Sequence, residues 1–233
     1  MEFRWSVHDG SRGQTEDKGY IYTKKCGWVD LKHASPGSTT QLWRKLKNDT
    51  GADYPLDRRY RVVRHSMTHL NQFGIFREYA VKKGLTLAQR KSVALGIYLN
   101  LSFDFESYQG NAFWGKLIPS SFSVEDLISN LISFYRALEP DAPIIEMCEP
   151  VSKEQALFIW DTYKPAWNDK SRELRPVLYP MTKGGTPRYG DLPDFLNTVI
   201  PMPIGESFWA IPCGRLNRGQ RKSMQYMKRR QEQ

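Results

Sequence analysis

No stretch of the sequence approaches the roughly 18 consecutive apolar residues that a membrane-crossing helix requires, and its longest apolar runs are broken by charge or proline. A protein integral to a membrane is therefore not expected. The first residues, Met1-Glu2-Phe3-Arg4-Trp5, lack the charged start, apolar run and small-residue cleavage site of a secretory signal. Synthesis in the cytoplasm is expected, with any export by a route that needs no signal. Cysteine is scarce: three residues, Cys26, Cys148 and Cys213, with no CxxC spacing, argue against a disulfide framework and against a structural zinc site. Helix-turn-helix, RNA-recognition and zinc-finger signatures are all missing, as are internal repeats and low-complexity segments.

What is present suffices for one sizeable core, since 233 residues with 40% hydrophobic content would make two thin domains but one well-filled one. The expectation is a single globular domain over residues 1–213 and a basic tail over 214–233. That tail carries Arg215, Arg218, Arg221, Lys222, Lys228, Arg229 and Arg230 against Glu232 alone, and so accounts for six units of the formal net charge of +9. Basicity concentrated in a tail makes nucleic acid a poor candidate partner for the domain itself. It leaves open a non-enzymatic module that holds an anionic polymer such as nucleic acid or teichoic acid.

Tyr20 to Thr23 and Trp28 to Leu31 are short aromatic and β-branched runs on either side of Lys24, Lys25, Cys26 and Gly27, and predict extended structure. Thr39 to Lys47 has the spacing of a short amphipathic helix, and Arg58 to Met67 alternates like a strand. After Gly84, Thr86 and Gln89 form a capping-box pattern, and Leu87, Ala94, Ile97, Tyr98, Leu101, Phe105 and Tyr108 recur at helical spacing. Ser123 opens a further helix whose stripe is Val124, Leu127, Ile128, Leu131, Tyr135 and Leu138, and Pro140 and Pro143 end it. Ser152 caps a third, over Lys153 to Tyr163, beyond which proline, glycine and tryptophan predict loops and short strands through Ile211. The whole predicts an α+β fold, helix-rich, with one long central helix and a small sheet or hairpin.

Two segments could carry chemistry. Cys26, Asp30 and His33 supply a thiol, a carboxylate and an imidazole within eight residues, the groups from which an activated nucleophile is assembled. Glu106 lies among aromatic residues near the end of the long helix, where desolvation would suit a general acid. Glu125 and Asp126 are explained by helix capping, because acids in a first turn meet free amides and the positive end of the dipole. Asn130, with Ser129 and Ser133, makes a polar strip of the kind that solvent usually covers. His65 and His69 are four apart, a spacing that binds metal on a helix, but this stretch has strand character.

The series Tyr22-Thr23, Gly27-Trp28-Val29-Asp30 and His33 resembles the opening motif of a bacterial family catalogued as domain of unknown function 4056. Glu106, Tyr108, Trp114 and Gly115 resemble its helix-ending glutamate followed by aromatics and glycine. Ser121-Phe122-Ser123-Val124-Glu125-Asp126-Leu127-Ile128-Ser129-Asn130 matches its serine block and the helix that follows. The resemblance spans about residues 18–138. The family's cysteine falls nearer Lys24, so Asp30, His33 and Glu106 are the shared polar set. The family implies no particular reaction. Its look is similar to effector domains that bacteria deliver into competitors, and on that likeness an inhibitory partner protein is a candidate partner.

The leading expectation is a hydrolase of bacterial cell-wall glycan without an organic cofactor or metal. Glu106 would be the general acid, Asp30 or Glu125 the second carboxylate, and His33 the residue that orients a partner. Trp28, Tyr108, Gln109, Trp114, Ser121, Glu125 and Asn130 would line the polymer. The alternatives are a cysteine amidase or peptidase using Cys26 and His33, a metal ion held by Asp30, His33 and Glu106, and the binding module described above.

Overall fold

The structure, a computed structural model, describes residues 4–13, 15–16, 18–69, 73–109, 124–163 and 174–212. The aromatic runs near the start pair as an antiparallel hairpin, β1 (Tyr20–Thr23) and β2 (Gly27–Asp30), with Tyr20 opposite Asp30, Tyr22 opposite Trp28 and Thr23 opposite Gly27. Gly27 makes the turn possible: its φ is +69°, and a Cβ there would collide with the Val177 carbonyl oxygen. Thr23 stiffens the same turn, accepting from the Cys26 amide at 3.1 Å and donating to the Gly27 carbonyl at 3.0 Å. Because alternate side chains leave opposite faces of a strand, Ile21 and Val29 enter the main core. Tyr22 and Trp28 enter a second, aromatic cluster with Trp160 and Tyr179.

Helix α1 (Gly37–Lys47) follows, then two ten-residue strands, β3 (Tyr60–His69) and β4 (Phe73–Lys82), paired antiparallel from Tyr60 opposite Lys82 to His69 opposite Phe73. The sequence reading finds the first of these strands and not the second. Helix α2 (Leu87–Gln109) opens with the expected reciprocal cap: Gln89 N–H donates to Thr86 Oγ1, and Thr86 N–H donates to Gln89 Oε1 at 3.0 Å. Gly96, halfway along it, admits the Met202 carbonyl and the Phe208 ring against the helix, which any side chain would prevent.

Helix α3 (Val124–Leu138) ends where expected, and the unforeseen one-turn helix α4 (Ile144–Met147) lies between it and α5 (Lys153–Tyr163). The short strands β5 (Val177–Leu178) and β6 (Arg188–Tyr189) pair with each other, while β7 (Phe208–Ile211) joins β4, so the larger sheet runs β3-β4-β7. The α+β expectation holds. Helices α1, α2 and α3 pack with that sheet and with one face of the first hairpin around the main core. Tyr98 lies beside Phe134, with ring centroids 5.9 Å apart, and Ser102 beside Asn130, so α2 and α3 run antiparallel. Among the described residues no helix is long and apolar enough to cross a membrane.

Candidate functional site

The polar strip of α3 is not solvated. Ser129, Asn130 and Ser133 are all buried, and every one of them has work inside the protein. Ser129 Oγ accepts from the Asp30 amide at 2.9 Å and donates to the Glu125 carbonyl at 2.6 Å. Ser133 Oγ donates to the Ser35 carbonyl at 2.8 Å, and Arg136 donates to the Ala34 carbonyl at 3.0 Å. Positions i, i+4 and i+7 share a helix face, so one side of α3 holds residues 30–35 along its length. A buried backbone segment needs such partners, because an unmatched amide or carbonyl costs free energy comparable to a lost hydrogen bond.

This attachment brings His33 over the first turn of α3. His33 Nδ1 lies 3.3 Å from Asp126 Oδ1, with the two side chains only 16% and 7% exposed. Asp30 folds the chain back toward them: its Oδ1 accepts from the Lys32 amide at 2.8 Å and from the His33 amide at 3.4 Å. One donor atom from each of Asp30, His33 and Asp126 falls within 4.8 Å of the others. Tyr20, opposite Asp30 across the hairpin, donates its hydroxyl to the Asp30 carboxylate. Burial, with the charges of Asp30, Asp126 and Glu125 behind it, pushes that phenol above its ordinary range and keeps it protonated. Glu125 is itself 3% exposed.

The first-turn acids are therefore more than surface caps. Their place at the positive end of the α3 dipole eases the burial of charge, and Asp126 faces the imidazole directly. Two carboxylates and an imidazole so placed can take a proton from water or hold a divalent cation.

Asp30 and His33 are brought together as the sequence suggested, with Glu125 close by. Three other expectations are corrected. Cys26 does not form a dyad with His33. It lies at the turn of the hairpin, three residue pairs or about 10 Å from the Asp30 end, and its thiol hydrogen-bonds with that of Cys148. That bond, with burial behind it, holds the Cys148 thiol well above its usual range. Trp28 cannot stack on a sugar, being 1% exposed with its ring edge-on to Tyr22 and Trp160 at 5.3 Å each. Asn130 is a strut between helices, bonded to Ser102 at 3.0 Å and Tyr98 at 3.4 Å, and offers no surface to a polymer.

Glu106, Tyr108 and Gln109 occupy the last turns of α2. Trp114 and Ser121 lie outside the described residues, as do Ser123, Cys213 and the basic tail. The third member beside Asp30 and His33 is Asp126, which sequence reasoning assigned to capping. Its signal was the serine strip one and two turns on: serines bury along a helix only where they hold another segment, and that segment is the one bearing His33. Tyr20 was also missed, and the hairpin register alone pairs it with Asp30.

A cavity of about 260 Å³ opens farther along β1, lined by Tyr22, Lys24, Leu178, Tyr179, Thr186 and Arg188. Tyr20 and Tyr22 alternate along β1 and so share a face, which sets this hollow on the same side of β1 as the Tyr20–Asp30 pair. Lys24 and Arg188 are exposed.

No family model, curated protein or solved structure matches the chain.

Proposed function

We propose that the chain is a hydrolase that activates water at Asp30, His33 and Asp126, and that its substrate is a polymer of the bacterial cell wall. The observation that carries this is the 3.3 Å approach of His33 to Asp126, next to a carboxylate fixed by two backbone amides. Groups from a strand end, a loop and a helix converge there, and a chain spends such construction on a site more readily than on a core. Water between these groups gives up its proton to them as its oxygen bonds to the electrophilic carbon. The bond to the leaving group then breaks, and the proton passes to that group.

The compactness of the centre favours an amide over a glycosidic bond. Glycosidases set two carboxyl groups roughly 5–9.5 Å apart so that they flank the bond, whereas donor atoms of Asp30 and Asp126 lie within 4.8 Å on one side. The cell wall as substrate rests on the resemblance of residues 18–138 to a bacterial family similar to delivered effectors. The cationic hollow by Lys24 and Arg188 suits such a carboxylate-rich polymer.

A glycosidase with Glu106 as general acid is the second reading. It is favoured by the helix register, in which position 106 follows Ser102 by one turn and stands level with Asp126. Purified sacculi incubated with the wild-type chain and with Asp126→Asn separate these readings. New free amines from the wild type alone support amide cleavage, and new reducing ends support the glycosidase. No soluble product from either protein overturns the hydrolase.

A further inference from the structure

We infer that Asp30, His33 and Asp126 are the three protein ligands of a divalent first-row metal ion of the zinc class, with a fourth position left for water. The inference extends the hydrolase reading by naming its cofactor, and the binding itself stands or falls independently of any activity.

Three observations converge on it. The first is donor type. One imidazole nitrogen with two carboxylate oxygens is a set that suits zinc and its neighbours, whereas magnesium and calcium prefer oxygen alone. The second is spacing. Ligands about 2.0–2.1 Å from a tetrahedral ion stand about 3.3 Å apart, and His33 Nδ1 lies 3.3 Å from Asp126 Oδ1. One possible ligand atom from each of the three residues lies within 4.8 Å of the other two. The third is support behind the ligands. Asp30 is held by two backbone amides and by the Tyr20 hydroxyl, and Ser129 fixes its backbone to α3. Metal-binding carboxylates are oriented in this way by hydrogen bonds from outside the coordination sphere.

Two carboxylates this close in a partly desolvated place repel each other, and a cation between them turns that repulsion into attraction. The ion also reassigns His33. With Nδ1 as a ligand the imidazole would no longer be the base, and the ion would supply the acidification of a bound water, which ions of this class bring to a pKa of about 7.

The test is metal content and zinc affinity of the full chain purified without chelator, with no substrate present. One zinc-class ion per chain is expected in the wild type. His33→Ala and Asp126→Asn should each weaken zinc binding by more than the roughly 10–100-fold that losing a hydrogen-bond partner of a ligand causes. Cobalt-loaded wild type should show the intense visible absorption of a four-coordinate ion, and the variants should not. If His33→Ala does not fold, as judged by its melting curve, His33→Gln takes its place. A wild-type chain that binds none of zinc, cobalt or manganese overturns the site, as do variants that bind zinc as tightly as wild type. Zinc binding without release of any cell-wall product leaves the site standing and removes the hydrolase. Product formed by the metal-free chain leaves the hydrolase standing and removes the ion as its cofactor.

Discussion

Asn130 Nδ2 donates to Ser102 Oγ across 3.0 Å, and the Tyr98 hydroxyl donates to Asn130 Oδ1 at 3.4 Å, so a single carboxamide fixes α3 against two successive turns of α2. All three residues are buried. Removing the carboxamide leaves two hydroxyls in the core with fewer partners, and an unmatched buried polar group costs about 1–3 kcal/mol. Asn130→Ala is therefore expected to lower stability by about that amount in urea unfolding, with the slope of the transition unchanged. A loss well below 1 kcal/mol would mean that the helices are held by apolar contacts alone.

The same contact sets the level of Glu106. With α2 and α3 antiparallel and Ser102 beside Asn130, one turn forward on α2 meets one turn back on α3, which is Asp126. On the glycosidase reading, Glu106→Gln is expected to reduce product release from sacculi by about 10²–10⁴-fold, the usual range for a lost general acid. Melting temperature and zinc content should stay at wild-type values. A loss of zinc together with activity would make Glu106 a metal ligand instead of an acid.

The elements with strong local periodicity were legible from the sequence. The capping box at Thr86 and Gln89, the stripe of α3 and the aromatic hairpin all follow from neighbours along the chain. Strand β4 was not, because Phe73 to Lys82 interleaves charge and aromatics without a clean alternation, and pairing with both β3 and β7 stabilises it. Two of the three residues of the candidate centre were legible for a similar reason. Asp30 and His33 are close in sequence, whereas Asp126 joins them only through contacts spanning nearly a hundred residues, such as Ser129 to Asp30 and Ser133 to Ser35. Polar residues that hold a remote backbone look, in one dimension, like residues that face water.

Cys26 illustrates the opposite error, in which closeness in sequence suggests a partnership that folding breaks. Both Cys26 and Cys148 are buried free thiols, and a thiol reacts as an accessible thiolate. Treatment of the native chain with iodoacetamide is expected to leave sacculus-degrading activity unchanged. Cys26 and Cys148 should become alkylated only after unfolding, as read by mass spectrometry of digested protein. Rapid modification of Cys26 in the native state would return it to the list of candidate nucleophiles.

His65 gives the fold its own pH dependence, separate from the centre. It is 2% exposed on β3, its ring 5.7 Å from that of Tyr98, and its Nε2 has no hydrogen-bond partner among the described residues. Burial, assisted by the positive charge of Lys45, lowers its pKa from the ordinary 6.5 to about 4. Between those values the unfolded chain carries the extra proton and the folded chain does not. Stability from this residue is therefore complete above pH 6.5, declines as the pH falls, and is gone below about 4. The full span corresponds to at most about 3 kcal/mol, at 1.36 kcal/mol for each pKa unit. Urea unfolding across that range should show the loss, and His65→Phe, which cannot be protonated, should flatten it. An equal slope in wild type and variant would assign the acid sensitivity to other groups, and the unmatched Nε2 would then be tolerated in the core without a proton to exclude.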